Sequence, residues 1–189
     1  PELVEAARLN ADRLGVADRF TAFTHDVAEP APPAPGLFTL VLANPPYRQP
    51  GRGRLPADPL RRAALFEREG GLDAFCRAAE RAMTTDGRFG LLFPAARVKE
   101  LLAARAGTGL EAARLLPVHA RANVPARVVL AEAVKKNSAS IREKTGGPLS
   151  SINSNIALEE PLELYEGRGA TAKLTKQALD FCPFLACNA

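Results

Sequence analysis

Asn44, Pro45, Pro46 and Tyr47 follow directly on the apolar run LFTLVLA (37–43), and their types suit one kind of chemistry. The Asn44 side-chain oxygen can accept a hydrogen bond from an exocyclic amino group. The prolines fix the backbone dihedral, so the Pro45 carbonyl is aimed rigidly as a second acceptor. Tyr47 presents a flat face on which a planar base can stack, worth roughly 1–3 kcal/mol. The plainer alternative is a proline turn capped by Asn44, with Tyr47 packed for its bulk.

The element that must position these residues is the run before them. Six apolar residues and Thr39 without alternation, bounded by Gly36 and Asn44, predict a strand covered on both faces, as in a parallel sheet. Ligands of such sheets bind beyond the carboxyl ends of the strands, where Asn44 falls. Upstream, Leu3, Val4, Ala7, Ala11 and Leu14 share one face of a helix over 2–14, and a short strand follows through Phe20–Phe23, ending at Thr24-His25-Asp26. The stretch AEPAPPAPG (28–36) reads as a surface connection. Downstream, helices are expected over 59–69 and 72–84, split by Gly70-Gly71. In the second, Leu72, Phe75, Cys76, Ala79 and Met83 share a face. Asp86-Gly87 turns the chain into a strand RFGLLF, and Pro94 leads to a helix over 95–105. ARVVLAEAVKK (126–136) and PLELYEG (161–167) read as two strands, joined by an exposed Ser/Asn/Gly-rich loop insertion at 137–157, and 171–181 as a last short helix. The alternation predicts one α/β domain over 1–189 with an antiparallel C-terminal strand pair.

Charge is concentrated beside the tetrapeptide. The chain carries a formal +4, and the segment 48–62 alone accounts for it, with Arg48, Arg52, Arg54, Arg61 and Arg62 against Asp58 (five minus one). Arginine's planar fork suits phosphate, so these five are the candidate nucleic-acid contacts, a solvated arginine surface being the alternative. The 189 residues (20.1 kDa) are 47% apolar and 24% charged, ordinary for one globular domain. The composition excludes collagen-like, coiled-coil and disordered classes. An odd cysteine count and a start without a leader pattern lead us to expect a cytoplasmic protein. No apolar run reaches the ~20 residues that span a bilayer. His25 and His119 lack metal-ligand spacing, Cys182 and Cys187 are too far apart for a redox pair, and Ser150-Ser151 lacks a nucleophile elbow. Metal, redox and hydrolase chemistry therefore have no support.

With its flanks, the tetrapeptide resembles the S-adenosylmethionine-dependent methyltransferases that act on exocyclic or amide nitrogens. It is most similar to the bacterial tRNA(Val) adenine-N6 methyltransferases. The resemblance runs through PELVEAARLNA, FTLVLANPPYR, RRAALFEREGGLDAFCRAAERAMTTDGRFGLLFP and PVHARANVPARVVLAEAVK. NPPY also occurs in glutamine-N5 methyltransferases that act on release factors. The following arginine pair, Glu69, the LDAF helix and the strand PARVVLAEAVK favour the tRNA group. The resemblance implies a doubly wound Rossmann-like sheet, mostly parallel, that binds S-adenosylmethionine and tRNA. It implies that Asn44 and Pro45 hold the target amino group facing the sulfonium methyl while Tyr47 stacks on a flipped base. Asp26 would accept from the cofactor's adenine amino group, with Val27 and Asn44 also at the cofactor.

The family's glycine-rich loop and ribose-holding carboxylate would precede Pro1, and no Gly-x-Gly follows a strand here in their place. We therefore expect an N-terminally truncated domain, with two strands absent between 19–23 and 37–43. Besides adenine-N6 transfer, two other readings stay open: glutamine-N5 transfer, and a non-catalytic fragment with residual RNA binding.

Overall fold

Leu72, Cys76 and Ala79 recur at i, i+4 and i+7 along α3 (Gly71–Ala82), and that stripe decides which way the helix faces. In the computed structural model, which describes residues 2–29, 35–49, 51, 55–67, 71–136, 156–183 and 185, the stripe packs on Phe89, Leu91 and Phe93 of β2 (Met83–Pro94) and on Leu101 of α4 (Val98–Ala104). Val129 of β4 (Val128–Lys135) and Leu110 of β3 (Leu110–His119) complete this core. Phe93 is 1% exposed and Leu110 0%. Full burial of such side chains contributes roughly 1.5–3 kcal/mol each, so this layer holds the sheet.

The sheet order is β1-β2-β4-β3-β5, where β1 is Phe38–Ala43 and β5 is Ala157–Leu158, and β6 (Leu162–Glu163) also lies beside β3. β1 runs parallel to β2, and β5 and β6 run parallel to β3. β4 pairs antiparallel with both β2 and β3. Among the described strands of this sheet β4 alone is reversed, a mostly parallel Rossmann-like sheet with an antiparallel strand pair near the C-terminus. A separate ribbon of β7 (Tyr165–Glu166) and β8 (Lys173–Leu174) leads to α5 (Lys176–Phe181). Thr175 caps α5 by accepting from the Ala178 N–H at 3.0 Å.

The last helix, expected over 171–181, begins only at Lys176 because Lys173–Leu174 pair with β7, and four further local expectations need correction. Residues 20–26 are extended but join no ladder, so the strand expected over Phe20–Phe23 is absent; α1 (Glu2–Arg13) and the turn Ala17–Arg19 precede it. A strand is defined by its partner's amides and carbonyls; here the Ala22 carbonyl instead accepts from Arg8 Nη2 at 3.1 Å. β1 does form, but pairs only with β2 among the described strands. Val41 and Ala43 pack on the core, whereas Leu40 is 55% and Leu42 73% exposed, so one face is open rather than both covered. The partner of the 126–136 strand is not 161–167 but β3, which the sequence pattern did not mark; 161–167 divides between β6 and β7. Finally, Asp86-Gly87 does not precede β2 but lies inside it. Phe38 pairs with Met83 and Leu40 already with Arg88, so the turn is an irregularity carried within the strand. Residues 137–155 of the expected loop insertion lie outside the described residues, and Ala157 at its far end begins β5.

Candidate functional site

β1 delivers Asn44–Tyr47 to the carboxyl end of the sheet, where the chain leaves the ladder in an extended path. Asn44 is exposed, Pro45 is buried and Tyr47 is 36% exposed. Pro45 anchors the segment and Pro46 is half-buried, while Asn44 and Tyr47 on either side of the proline pair are exposed.

Two hollows meet this tetrapeptide. One, about 390 Å³, is lined by Asp26, Val27, Pro46, Glu67, Phe75 and Arg81, among others. The other, about 480 Å³, runs along the open sheet face past Asn44, Leu42, Gly90, Leu92 and Leu116. Both volumes fall in the ~300–1,000 Å³ range of small-molecule sites. Thus Asp26 and Val27 come together with the tetrapeptide at Pro46, whereas Asn44 lines a different hollow from them. The turn bearing Asp26 is braced: Asp26 Oδ1 accepts from the Ala28 N–H at 2.9 Å, and Arg81 of α3 donates to the Glu29 carbonyl at 3.1 Å. His25 Nδ1 lies 3.2 Å from Glu29 Oε2.

The arginine-rich loop is closed at its base. Arg48 and Phe66 form a parallel bridge, with the Arg48 N–H donating to the Leu65 carbonyl at 3.0 Å and the Glu67 N–H to the Arg48 carbonyl at 2.9 Å. Phe66 is buried beneath it. α2 (Pro59–Leu65) starts with Pro at its first position and Asp58 as cap, so the loop's outer limb is a short helix with Arg61 and Arg62 exposed. Arg62 also donates to the Pro56 carbonyl at 3.1 Å. Arg48 is exposed at the loop's root. Arg52 and Arg54 lie outside the described residues.

Sequence reasoning missed Arg97. It follows the carboxyl end of β2 on a 3-10 turn (Ala95–Arg97). Its Nη1 donates to the Tyr47 carbonyl at 2.8 Å, its Nη2 to Glu67 Oε2 at 2.8 Å, and its Nε to Glu100 at 3.0 Å. The guanidinium also stacks 5.2 Å from the centroid of the Phe93 ring. Hydrogen bonding to Glu100 raises the Arg97 pKa more than burial lowers it, with Glu67 adding to the rise. In return Arg97 holds Glu100 below the usual carboxylate range. The usable signal was positional, since Arg97 follows the strand next to β1 in the sheet at its carboxyl end. The acid noticed in the sequence, Glu69, lies outside the described residues; the one that reaches the site is Glu67.

Among the described residues no group of His, Cys, Asp and Glu could hold a metal ion, and no helix is long and apolar enough to cross a membrane.

No family model and no curated protein matches the chain. Among solved structures, it is similar to a predicted O-methyltransferase from Agrobacterium tumefaciens, with a TM-score of 0.62 and 20% identity over 97% of this chain and 72% of that one. A TehB-like SAM-dependent methyltransferase from Corynebacterium glutamicum matches with a TM-score of 0.44 and 15% identity over 71% of this chain and 64% of that one. A geranyl diphosphate C-methyltransferase from Streptomyces coelicolor matches with a TM-score of 0.44 and 12% identity over 70% and 60%. The likeness to the first is one of fold.

Proposed function

We propose that this chain belongs to an S-adenosylmethionine-dependent methyltransferase that methylates an exocyclic amino nitrogen, adenine N6 in tRNA. The observation that carries the reading is the buried Pro45 between an exposed Asn44 and an exposed Tyr47 at the carboxyl end of β1, with the hollow of Asp26, Val27 and Phe75 adjoining at Pro46. That hollow combines an aromatic wall with a carboxylate at a braced turn, a chemistry that fits the adenine end of the cofactor. Asp26 would accept from its amino group beside Val27. When bound, the cofactor supplies an electrophilic methyl on a sulfonium.

Asn44 Oδ1 and the Pro45 carbonyl accept the two N–H bonds of the target amino group. Two acceptors draw that nitrogen toward tetrahedral geometry and release its lone pair from the ring. Tyr47 stacks on the extruded base and fixes the direction of approach. The methylated nitrogen then loses its proton to water, so no strong base is required. Positioning and electrostatics supply the acceleration. The exposed Arg48, Arg61 and Arg62 lie on the loop that leaves Tyr47 and offer charge to phosphates beside the target.

The test is transfer of labelled methyl to bulk tRNA and to a release factor by the full-length protein, with and without Asn44→Ala. Transfer to tRNA adenine that falls about 10²–10³-fold in Asn44→Ala, the usual cost of one positioned hydrogen-bonding group, supports the reading. Near-wild-type turnover in the variant refutes the role of Asn44. Transfer to glutamine alone replaces the substrate, and RNA binding with no transfer replaces the activity.

A further inference from the structure

We propose that Arg97 is a positioning residue that clasps both roots of the arginine-rich loop and thereby sets the pose of Asn44–Tyr47. Tyr47 is the last residue before the Arg48–Phe66 bridge and Glu67 the first after it. One guanidinium bonds to both, through Nη1 to the Tyr47 carbonyl and through Nη2 to the Glu67 carboxylate, each at 2.8 Å. The clasp is itself held from two further sides. Glu100 takes the Nε–H at 3.0 Å, and the Phe93 ring, 1% exposed, lies beneath. The Arg97 and Glu67 side chains are 15% and 18% exposed, so salt screens this pair weakly.

All three nitrogens of one planar fork therefore donate at once, Nη2 to both acids, to a carbonyl and two carboxylates. A lysine has a single ammonium on a flexible stem and cannot span these partners together. Fixing the Tyr47 carbonyl fixes the peptide plane between Tyr47 and Arg48, two residues beyond the Pro45 carbonyl. The clasp also makes the loop's two ends move as one with the carboxyl end of β2. Phosphate contacts on the loop thus bear directly on the tetrapeptide's geometry.

The kinetic part rests on the reading of Asn44–Tyr47 as the amino-group site; the structural part does not. Hydrogen exchange at the Arg48 and Glu67 amides, whose bonds close the loop's base, is measured in full-length wild type, Arg97→Ala and Arg97→Lys. Exchange at these amides is expected to rise at least tenfold in both variants, with the Leu91 and Val129 amides unchanged. Free guanidinium at millimolar concentration is expected to restore protection in Arg97→Ala but not in Arg97→Lys. For methyl transfer, kcat is expected to fall at least tenfold in Arg97→Lys while KM for the methyl donor stays within threefold. Unchanged exchange at Arg48 and Glu67 in a folded variant overturns the clasp, as does acceleration spread evenly over the sheet in Arg97→Lys. Should Arg97→Ala fail to fold, Arg97→Lys carries the comparison. Absence of methyl transfer in the wild type would refute the proposed reaction and leave the exchange result to decide the clasp.

Discussion

One thiol, Cys76, should make stability fall with pH in the alkaline range. It lies on the inner face of α3, 1% exposed, among Phe89, Leu91, Leu101 and Leu110. Burial raises its pKa from 9.0 to about 11, and the nearby Asp73 carboxylate adds to the rise. The neutral thiol is thus favoured in the fold, while the unfolded chain releases its proton about two pH steps earlier. Between pH 9 and 11 the folded state holds more protons than the unfolded one, so stability falls as pH rises. Below pH 9 the contribution is fully present. Each pKa unit corresponds to about 1.4 kcal/mol, so roughly 2–3 kcal/mol is lost by pH 11, a large share of a typical 5–15 kcal/mol. The assay is urea unfolding at pH 8, 9, 10 and 11 for wild type and Cys76→Ala. The variant starts lower because it loses packing in the core, but its stability should decline less steeply across that window. Equal slopes in the two proteins would refute the reasoning.

Two other outcomes follow from the loop and from β2. Replacing Arg52, Arg54 and Arg61 by Ala should weaken RNA binding regardless of sequence and flatten its salt dependence, each lost contact removing roughly 0.7–0.9 from the log–log slope; an unchanged slope would return these arginines to plain solvated charge. Gly87→Ala should destabilise the fold by about 1–3 kcal/mol, since a Cβ there would meet the Phe38 carbonyl oxygen at 2.9 Å and Met83 Cβ at 2.9 Å. Thermal unfolding reads it, and a melting temperature matching wild type would show that β2 relaxes around the added methyl.

Local pattern was enough for some of this protein. The stripe of Leu72, Cys76 and Ala79 specified the buried face of α3, because a helix's faces follow from its own period. The apolar run ending at Ala43, then Asn44-Pro45-Pro46-Tyr47, located the carboxyl end of a strand. The helix expected over 59–69 does start at Pro59, although it ends at Leu65. Tertiary structure decided the rest. LEAARLLPVH carries helix formers and a proline, yet becomes β3 because β4 pairs with it from Leu110–Lys135 to Val118–Val128. Pro117 is tolerated there because it falls between the short parallel pairings Leu115–Leu158 and Val118–Leu162. Phe20–Phe23 has the composition of a strand and lacks a ladder, for ladder partners are distant in sequence and no local period encodes them. Arg97 joined the site for the same reason. Its role depends on the parallel placement of β1 and β2, which brings a guanidinium 50 residues along the chain to the Tyr47 carbonyl. Side-chain type and period are written locally, whereas pairing, burial of an edge and the meeting of charges arise only when the chain closes on itself.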